Sequence, residues 1–208
     1  MLPRLVLVTD RRATAGRDLV DVVRAALDAG LPAVQLREKD LPGGPLLALA
    51  ERLRGATTSA GALLFVNDRV DVAIACGADG VHLGGTSMPV AAARGLLPAG
   101  ALIGVSTHAP DEPAATPADF AFVGPVHATP SKAAFGPPQG EDRLRAAVAA
   151  ARVPVLAIGG VTAATAAGVL AAGAVGAAVI RAILAAPDPG AATRTLLDAL
   201  ALTAAARA

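Results

Sequence analysis

Residues 154–180 read PVLAIGGVTAATAAGVLAAGAVGAAVI, and the division of this stretch decides the fold. Taken whole, the apolar run 163–180 is about the length of a membrane-spanning helix. Its composition argues otherwise. Only Val169, Leu170, Val175, Val179 and Ile180 are strongly apolar; nearly all the rest is Ala and Gly, which drive insertion weakly. Gly173 and Gly176 also interrupt the run. The spacing instead predicts a strand at 154–158, a glycine turn, a helix capped by Thr162 and stopped at Gly173, and a second buried strand.

The same alternation extends to both ends of the chain. Short apolar runs occur at LVLVT (5–9), AVQL (33–36), LLFV (63–66), GVHL (80–83), LIGV (102–105), FAFVG (120–124), PVLAI (154–158) and AAVI (177–180). Unbroken apolar runs suit strands covered on both faces of a parallel sheet. Helical patterns fill the gaps: Asp18 caps LVDVVRAALDAG with Gly30 as its stop, and further helices are expected at 45–60, 68–76, 89–97, 141–151 and 190–206. Only APDEPAAT (109–116) lacks helix signals. Eight such units of about 25 residues each predict an α/β protein, a single (β/α)8 TIM barrel over residues 1–208. A doubly wound open sheet would want a glycine-rich turn after the first strand, and TDRRATAG (9–16) does not supply one.

Composition narrows the function. With 208 residues, 54% hydrophobic, the chain is long enough for one domain with a substantial core. A net charge of +1 gives no broad field for nucleic acid or anionic lipid, and 2% aromatic residues leave little for base stacking. The single Cys76 excludes a disulfide framework and a cysteine zinc site, and is expected to be a small buried residue. LVLV (5–8) is far too short for a signal peptide, so a cytoplasmic protein is expected, without nucleic-acid or membrane partners.

In a barrel of this kind the chemistry lies at the C-terminal ends of the strands. There the sequence places Thr9 and Asp10; Gln35, Arg37, Glu38 and Lys39; Asn67 and Asp68; His82; Ser106, Thr107 and His108; His127, Thr129, Ser131 and Lys132; Gly159 and Gly160; and Arg181. Lys39 and Lys132 are the only lysines, and both fall in these clusters. Lysine is a compact point charge suited to phosphate oxygens. Gly159-Gly160-Val161-Thr162 is expected to open a helix, where bare N–H groups receive anions. Arg37 and Lys39 alternate on a segment expected to be extended, which marks a second anion site across the rim. Asp68 beside them fits either a salt-bridge network or a Mg²⁺ ligand next to a diphosphate. No histidine pair has i, i+4 spacing, so His82, His108 and His127 do not suggest zinc. AAFGPPQG (133–140) is expected to be a mobile cover over the site.

The strings LVTD (7–10), QLREKD (35–40), VNDRVDVAIACGADGVHLG (66–84), IGVSTH (103–108), GPVHATPSK (124–132) and AIGGVT (157–162), in this order, resemble the thiamine phosphate synthase family. The resemblance covers nearly the whole chain. It implies a phosphate-binding barrel that condenses hydroxymethylpyrimidine diphosphate with a thiazole phosphate. By position it implies that Gln35, Arg37, Lys39, Asn67, Ser106 and Lys132 hold the pyrimidine diphosphate. Arg37, Lys39, Ser106 and Lys132 would also act in catalysis. Thr129, Ser131, Gly159, Gly160 and the backbone at Ile180 and Arg181 would hold the thiazole phosphate, and Asp68 would bind Mg²⁺. Three positions depart from the family pattern: Ser87 stands where a second metal-binding Asp is usual, Arg181 where a phosphate-loop Ser is usual, and His127 where a Phe is usual. Ser87 and His127 leave room for the related thiazole tautomerases, which share the barrel but not the diphosphate substrate. A non-catalytic phosphate-ligand sensor on the same scaffold is a third reading, and homo-oligomerisation stays open.

Overall fold

The computed structural model describes residues 2–107, 117–129 and 138–205, the last four without side chains. Eight parallel strands close into a barrel in chain order: β1 Leu5–Val8, β2 Ala33–Leu36, β3 Leu63–Asn67, β4 Gly80–Leu83, β5 Leu102–Thr107, β6 Phe120–Val123, β7 Val155–Ile158 and β8 Gly176–Val179. β8 pairs with β1 through Leu5↔Ala177, Val6↔Ala178 and Leu7↔Val179, which closes the sheet. Around it run α1 Leu19–Asp28, α2 Gly43–Ala60, α3 Val70–Ala75, α4 Val90–Leu96, α5 Gly140–Ala150, α6 Ala166–Ala171, α7 Arg181–Leu184 and α8 Pro189–Ala205. The last helix packs against α1. The link 109–116 lies outside the described residues.

Two cores explain why the strands read as unbroken apolar runs. The side chains of Leu5, Leu7, Val34, Leu36, Leu64, Val66, Val81, Ile103, Ala121 and Val155 turn outward and pack under the helices. Those of Val6, Val8, Ala33, Phe65, Phe120, Phe122, Leu156 and Ala178 turn inward and fill the barrel. Three of the four phenylalanines are in this interior, with Phe65 and Phe120 edge to face at 5.3 Å. Gly104 makes room for them, since a Cβ there would collide with the Phe120 ring. α1 shows the outer pattern in one element. Asp18 accepts hydrogen bonds from the N–H groups of Val20 and Asp21, and Leu19, Val20, Val22, Val23, Ala26 and Leu27 are buried against the sheet.

The long apolar stretch divides as its composition predicts, into α6, a turn at Gly173 and β8, and among the described residues no helix is long and apolar enough to cross a membrane. The helix start is different. Thr162 does not cap it; Thr165 is the N-cap, and its Oγ1 accepts from the Thr162 N–H in a turn that delays the helix to Ala166. β3 and β5 run further than expected, so Asn67, Ser106 and Thr107 are strand residues, while His82 lies within β4 as expected. The short α7 immediately after β8 has no sequence signal of its own. Cys76 is half-buried at the end of α3 rather than buried.

Candidate functional site

Strand parity delivers the polar residues to one place. Gln35 is two residues beyond the inward Ala33, Asn67 two beyond Phe65, and Ser106 two beyond Gly104. Register confirms the shared face, with Gln35 opposite Phe65, Asn67 opposite His82 and Ser106 opposite Phe122. The lower barrel is therefore apolar and its C-terminal mouth polar.

On one side of the mouth four predicted residues form a single hydrogen-bonded chain. Gln35 Nε2 donates to Asn67 Oδ1 at 3.1 Å, Asn67 Nδ2 donates to Asp68 Oδ2 at 2.8 Å, and the Ser87 hydroxyl donates to Asp68 Oδ1. Ser87 Oγ in turn accepts from the Gly84 N–H at 2.5 Å. The carboxylate sets the polarity. It can only accept, so Asn67 must turn its amide nitrogen toward it, leaving Oδ1 for Gln35. Gln35 then presents its own carbonyl, and Oε1 is a buried acceptor without a partner among the described residues. Asp68 adopts φ +61, an uncommon left-handed conformation that Asp tolerates better than most residues.

The next wall carries His82 and Ser106. His82 is 1% exposed, lies 4.2 Å from the Phe122 ring centroid, and places Nε2 2.9 Å from Ser106 Oγ. Burial among these rings pushes the imidazole down to about 3, and nearby Arg37 lowers it further while Asp68 opposes the shift. At neutral pH His82 is uncharged.

Arg37 is half-buried and Lys39 exposed, and among the described residues neither cationic head has an ion pair or side-chain hydrogen bond. Their segment is not extended throughout. Leu41 N–H bonds to the Glu38 carbonyl, so Lys39 sits in a turn and strand alternation does not orient it with Arg37. The salt-bridge reading of Asp68 is likewise not met among the described residues. The ion pairs lie elsewhere in the same loop. Arg11 reaches Glu38 at 3.1 Å and Asp40 at 2.6 Å, and Arg12 also reaches Asp40. The Arg11 guanidinium beside Asp40 holds its carboxyl down to about 2. Thr9 Oγ1 accepts from the Arg37 N–H at 2.9 Å. This clamp fixes the backbone that carries both free cations. Glu38 and Thr9 were visible as polar residues at strand ends, but their partners lie 27 and 28 residues away and no local signal pairs them.

Across the mouth, Gly159 and Gly160 adopt φ +94 and +65. A Cβ on Gly159 would lie 2.6 Å from Pro125 Cα, and one on Gly160 2.6 Å from the Ala128 carbonyl oxygen. His127 N–H donates to the Gly159 carbonyl, so the glycine turn is pressed against residues 125–128 and brought beside half-buried Thr129. The turn does not open a helix directly, since α6 begins at Ala166. Ile180 is the N-cap of α7, whose first N–H groups lack intrahelical partners, and the Arg181 side chain is exposed. Ser131, Lys132, His108 and residues 133–137 of the expected cover lie outside the described residues. The end of that loop is tied down, with Gln139 and Gly140 N–H groups bonded to the Pro125 and Val126 carbonyls. His127 turns toward the helix layer. Its Nε2 is buried, 4.0 Å from Glu141 Oε1 on α5, and that carboxylate abuts Gly168 of α6.

Asp68 and Ser87 offer a carboxylate and a hydroxyl side by side, with no cluster of three or more His, Cys, Asp or Glu side chains among the described residues. Hard oxygen donors with few protein ligands fit Mg²⁺ that shares its shell with phosphate and water.

Comparisons with known proteins agree with this architecture. The family described as thiamine monophosphate synthase matches residues 5–183. A Geobacter sulfurreducens protein provisionally named thiamine-phosphate synthase is 54% identical over 76% of this chain and 75% of its own. The thiamine-phosphate synthase of Methanoculleus marisnigri is 48% identical over 77% of each chain. A solved thiamine phosphate pyrophosphorylase from Pyrococcus furiosus superposes with a TM-score of 0.87 at 36% identity, covering 96% of both chains. With the family pattern running from β1 into α7 and the fold superposing over nearly its whole length, this chain belongs to the thiamine monophosphate synthase family.

Proposed function

We propose that the chain is a transferase that condenses hydroxymethylpyrimidine diphosphate with a thiazole phosphate, giving thiamine phosphate and diphosphate. The observation that carries this reading is the Gln35–Asn67–Asp68–Ser87 chain, which ends at one side in a buried free acceptor and at the other in a metal-competent carboxylate. Gln35 Oε1 suits the exocyclic amine of an aminopyrimidine. The free heads of Arg37 and Lys39, with Ser106 and Lys132, suit the diphosphate. Thr129, Ser131, Gly159, Gly160 and the backbone at Ile180 and Arg181 suit the thiazole phosphate on the opposite side.

In the reaction the bond between the pyrimidine methylene and the diphosphate oxygen breaks, and its electron pair leaves with diphosphate. The thiazole nitrogen lone pair then forms the new carbon–nitrogen bond. The electron-rich ring supports the methylene cation between these events. Arg37, Lys39 and Lys132 stabilise the charge gathering on the leaving group, an electrostatic stabilisation set up before the bond breaks. Asp68 and Ser87 would hold Mg²⁺, which when bound supplies further positive charge to the diphosphate oxygens. Holding both substrates across one mouth brings nitrogen and carbon into line. The same reading has the whole chain as one cytoplasmic barrel domain acting on small molecules. The test is direct: purified protein is mixed with both substrates and Mg²⁺ and thiamine phosphate is assayed. Formation of thiamine phosphate is expected; its absence, together with turnover of a thiazole carboxylate phosphate, overturns the reading in favour of a tautomerase.

A further inference from the structure

We propose that His82 is a positioning residue whose Nε2–H donates to Ser106 Oγ, so that the Ser106 hydroxyl proton is left to face the barrel mouth as a donor. The two ring nitrogens have opposite surroundings. Nε2 lies 2.9 Å from Ser106 Oγ, whereas Nδ1 is buried with no hydrogen-bond partner among the described residues. That side of the ring is filled by Gly104 and Phe120: a Cβ built on Gly104 would lie 2.7 Å from Nδ1 and would collide with Phe120 Cζ. A proton on Nδ1 would be an orphaned buried donor, which folded proteins rarely contain, whereas an unpaired acceptor is tolerated more readily. The proton therefore belongs on Nε2.

This fixes the chemistry of Ser106. Its oxygen receives the imidazole proton, so its own O–H has to point elsewhere. The ring is buried below it between Phe122 and Phe120, while Ser106 is only partly covered. The free direction is the mouth. Ser106 then cannot be activated as a nucleophile by His82, which offers it no accepting nitrogen. It is a donor of fixed direction, suited to an anionic oxygen. Resting on the proposed synthase activity, that oxygen belongs to the leaving diphosphate, and the bond is strongest as charge builds on it.

The decisive measurement needs no substrate. In protein labelled with ¹⁵N-histidine, the His82 signal is identified by its loss in His82→Gln. The expected pattern is a protonated, pyrrole-type Nε2 and an unprotonated, pyridine-type Nδ1. A proton on Nδ1, alone or with Nε2, overturns the inference whatever the protein catalyses. Kinetics supply the second arm. His82→Phe keeps the packing but removes the donor, and should lower kcat about tenfold with little change in KM for the pyrimidine diphosphate. His82→Gln, which restores an N–H near the position of Nε2, should recover much of that loss. Equal losses in both variants, or a loss confined to KM, overturn the positioning role. A wild type that makes no thiamine phosphate counts against the synthase reading alone, because the proton location is read independently of it.

Discussion

Replacing Gly160 with alanine separates two costs that are usually confounded. Gly160, Gly61 and Gly77 all adopt φ +65, so each alanine would bear the same left-handed strain of roughly 1 kcal/mol. Their surroundings differ. A Cβ at Gly61 or Gly77 meets nothing within 4 Å, whereas at Gly160 it lies 2.6 Å from the Ala128 carbonyl oxygen and 2.7 Å from His127 Cβ. Two of the atoms in the way are backbone, namely the Ala128 oxygen and the His127 carbonyl carbon at 2.9 Å, so a side-chain rotation cannot relieve the contact. Overpacking of this kind adds about 1–3 kcal/mol. Gly61→Ala and Gly77→Ala should each lose about 1 kcal/mol in urea unfolding, and Gly160→Ala about 2–4 kcal/mol. Because the strained contact lies beside Thr129, Gly160→Ala should also raise KM for the thiazole phosphate more than KM for the pyrimidine diphosphate. Three variants of equal stability would refute the argument that the β6 and β7 loops are pressed together here.

Asp68→Ala should abolish the dependence of condensation on Mg²⁺, while Ser87→Asp should lower the Mg²⁺ concentration needed for half-maximal rate, read from metal titrations of initial velocity; an unchanged metal requirement in Asp68→Ala would show that the cation binds elsewhere. Lys132→Ala should cut thiamine phosphate formation by about a hundredfold or more, mostly in kcat, whereas His127→Phe should stay within about twofold of wild type, because His127 faces Glu141 and not the mouth. His82 titrates near 6.5 when unfolded but only near 3 in its buried site, so the unfolded chain binds the extra proton between these values. Its contribution is complete above about pH 6.5 and is lost as pH falls toward about 3. Urea midpoints at about pH 7 and about pH 4.5 should therefore differ less in His82→Gln than in wild type.

The sequence by itself determined the barrel, because both sources of that conclusion are local. Continuous apolar runs require cover on two faces, and glycine, proline and capping residues mark the breaks between units. Asp18 at the start of α1 and Gly173 before β8 do in the structure what their residue types predict. Among the described residues, the candidates Gln35, Asn67, Asp68, Ser106 and Gly160 all lie at the C-terminal ends of the strands, where their positions in the sequence had them. Where the backbone itself curls, local reading failed. The turn at Glu38–Leu41 takes Lys39 off the strand alternation shared by its neighbours, and the Thr162–Thr165 turn delays α6.

Tertiary structure alone decided which polar atoms meet. Gln35, Asn67 and Ser87 come from three different β/α units, and their amide orientations follow from one carboxylate, Asp68, that no window of sequence contains together with all three. His82 was indistinguishable from a core histidine until Ser106 appeared at one nitrogen and Gly104 at the other. His127 was free to face either way until Glu141 of α5 was found beside it. The physical reason is the same in each case. Burial and periodicity are properties of a segment and can be read along the chain, but hydrogen-bond polarity is a property of pairs, and barrel closure brings those pairs together from neighbouring β/α units.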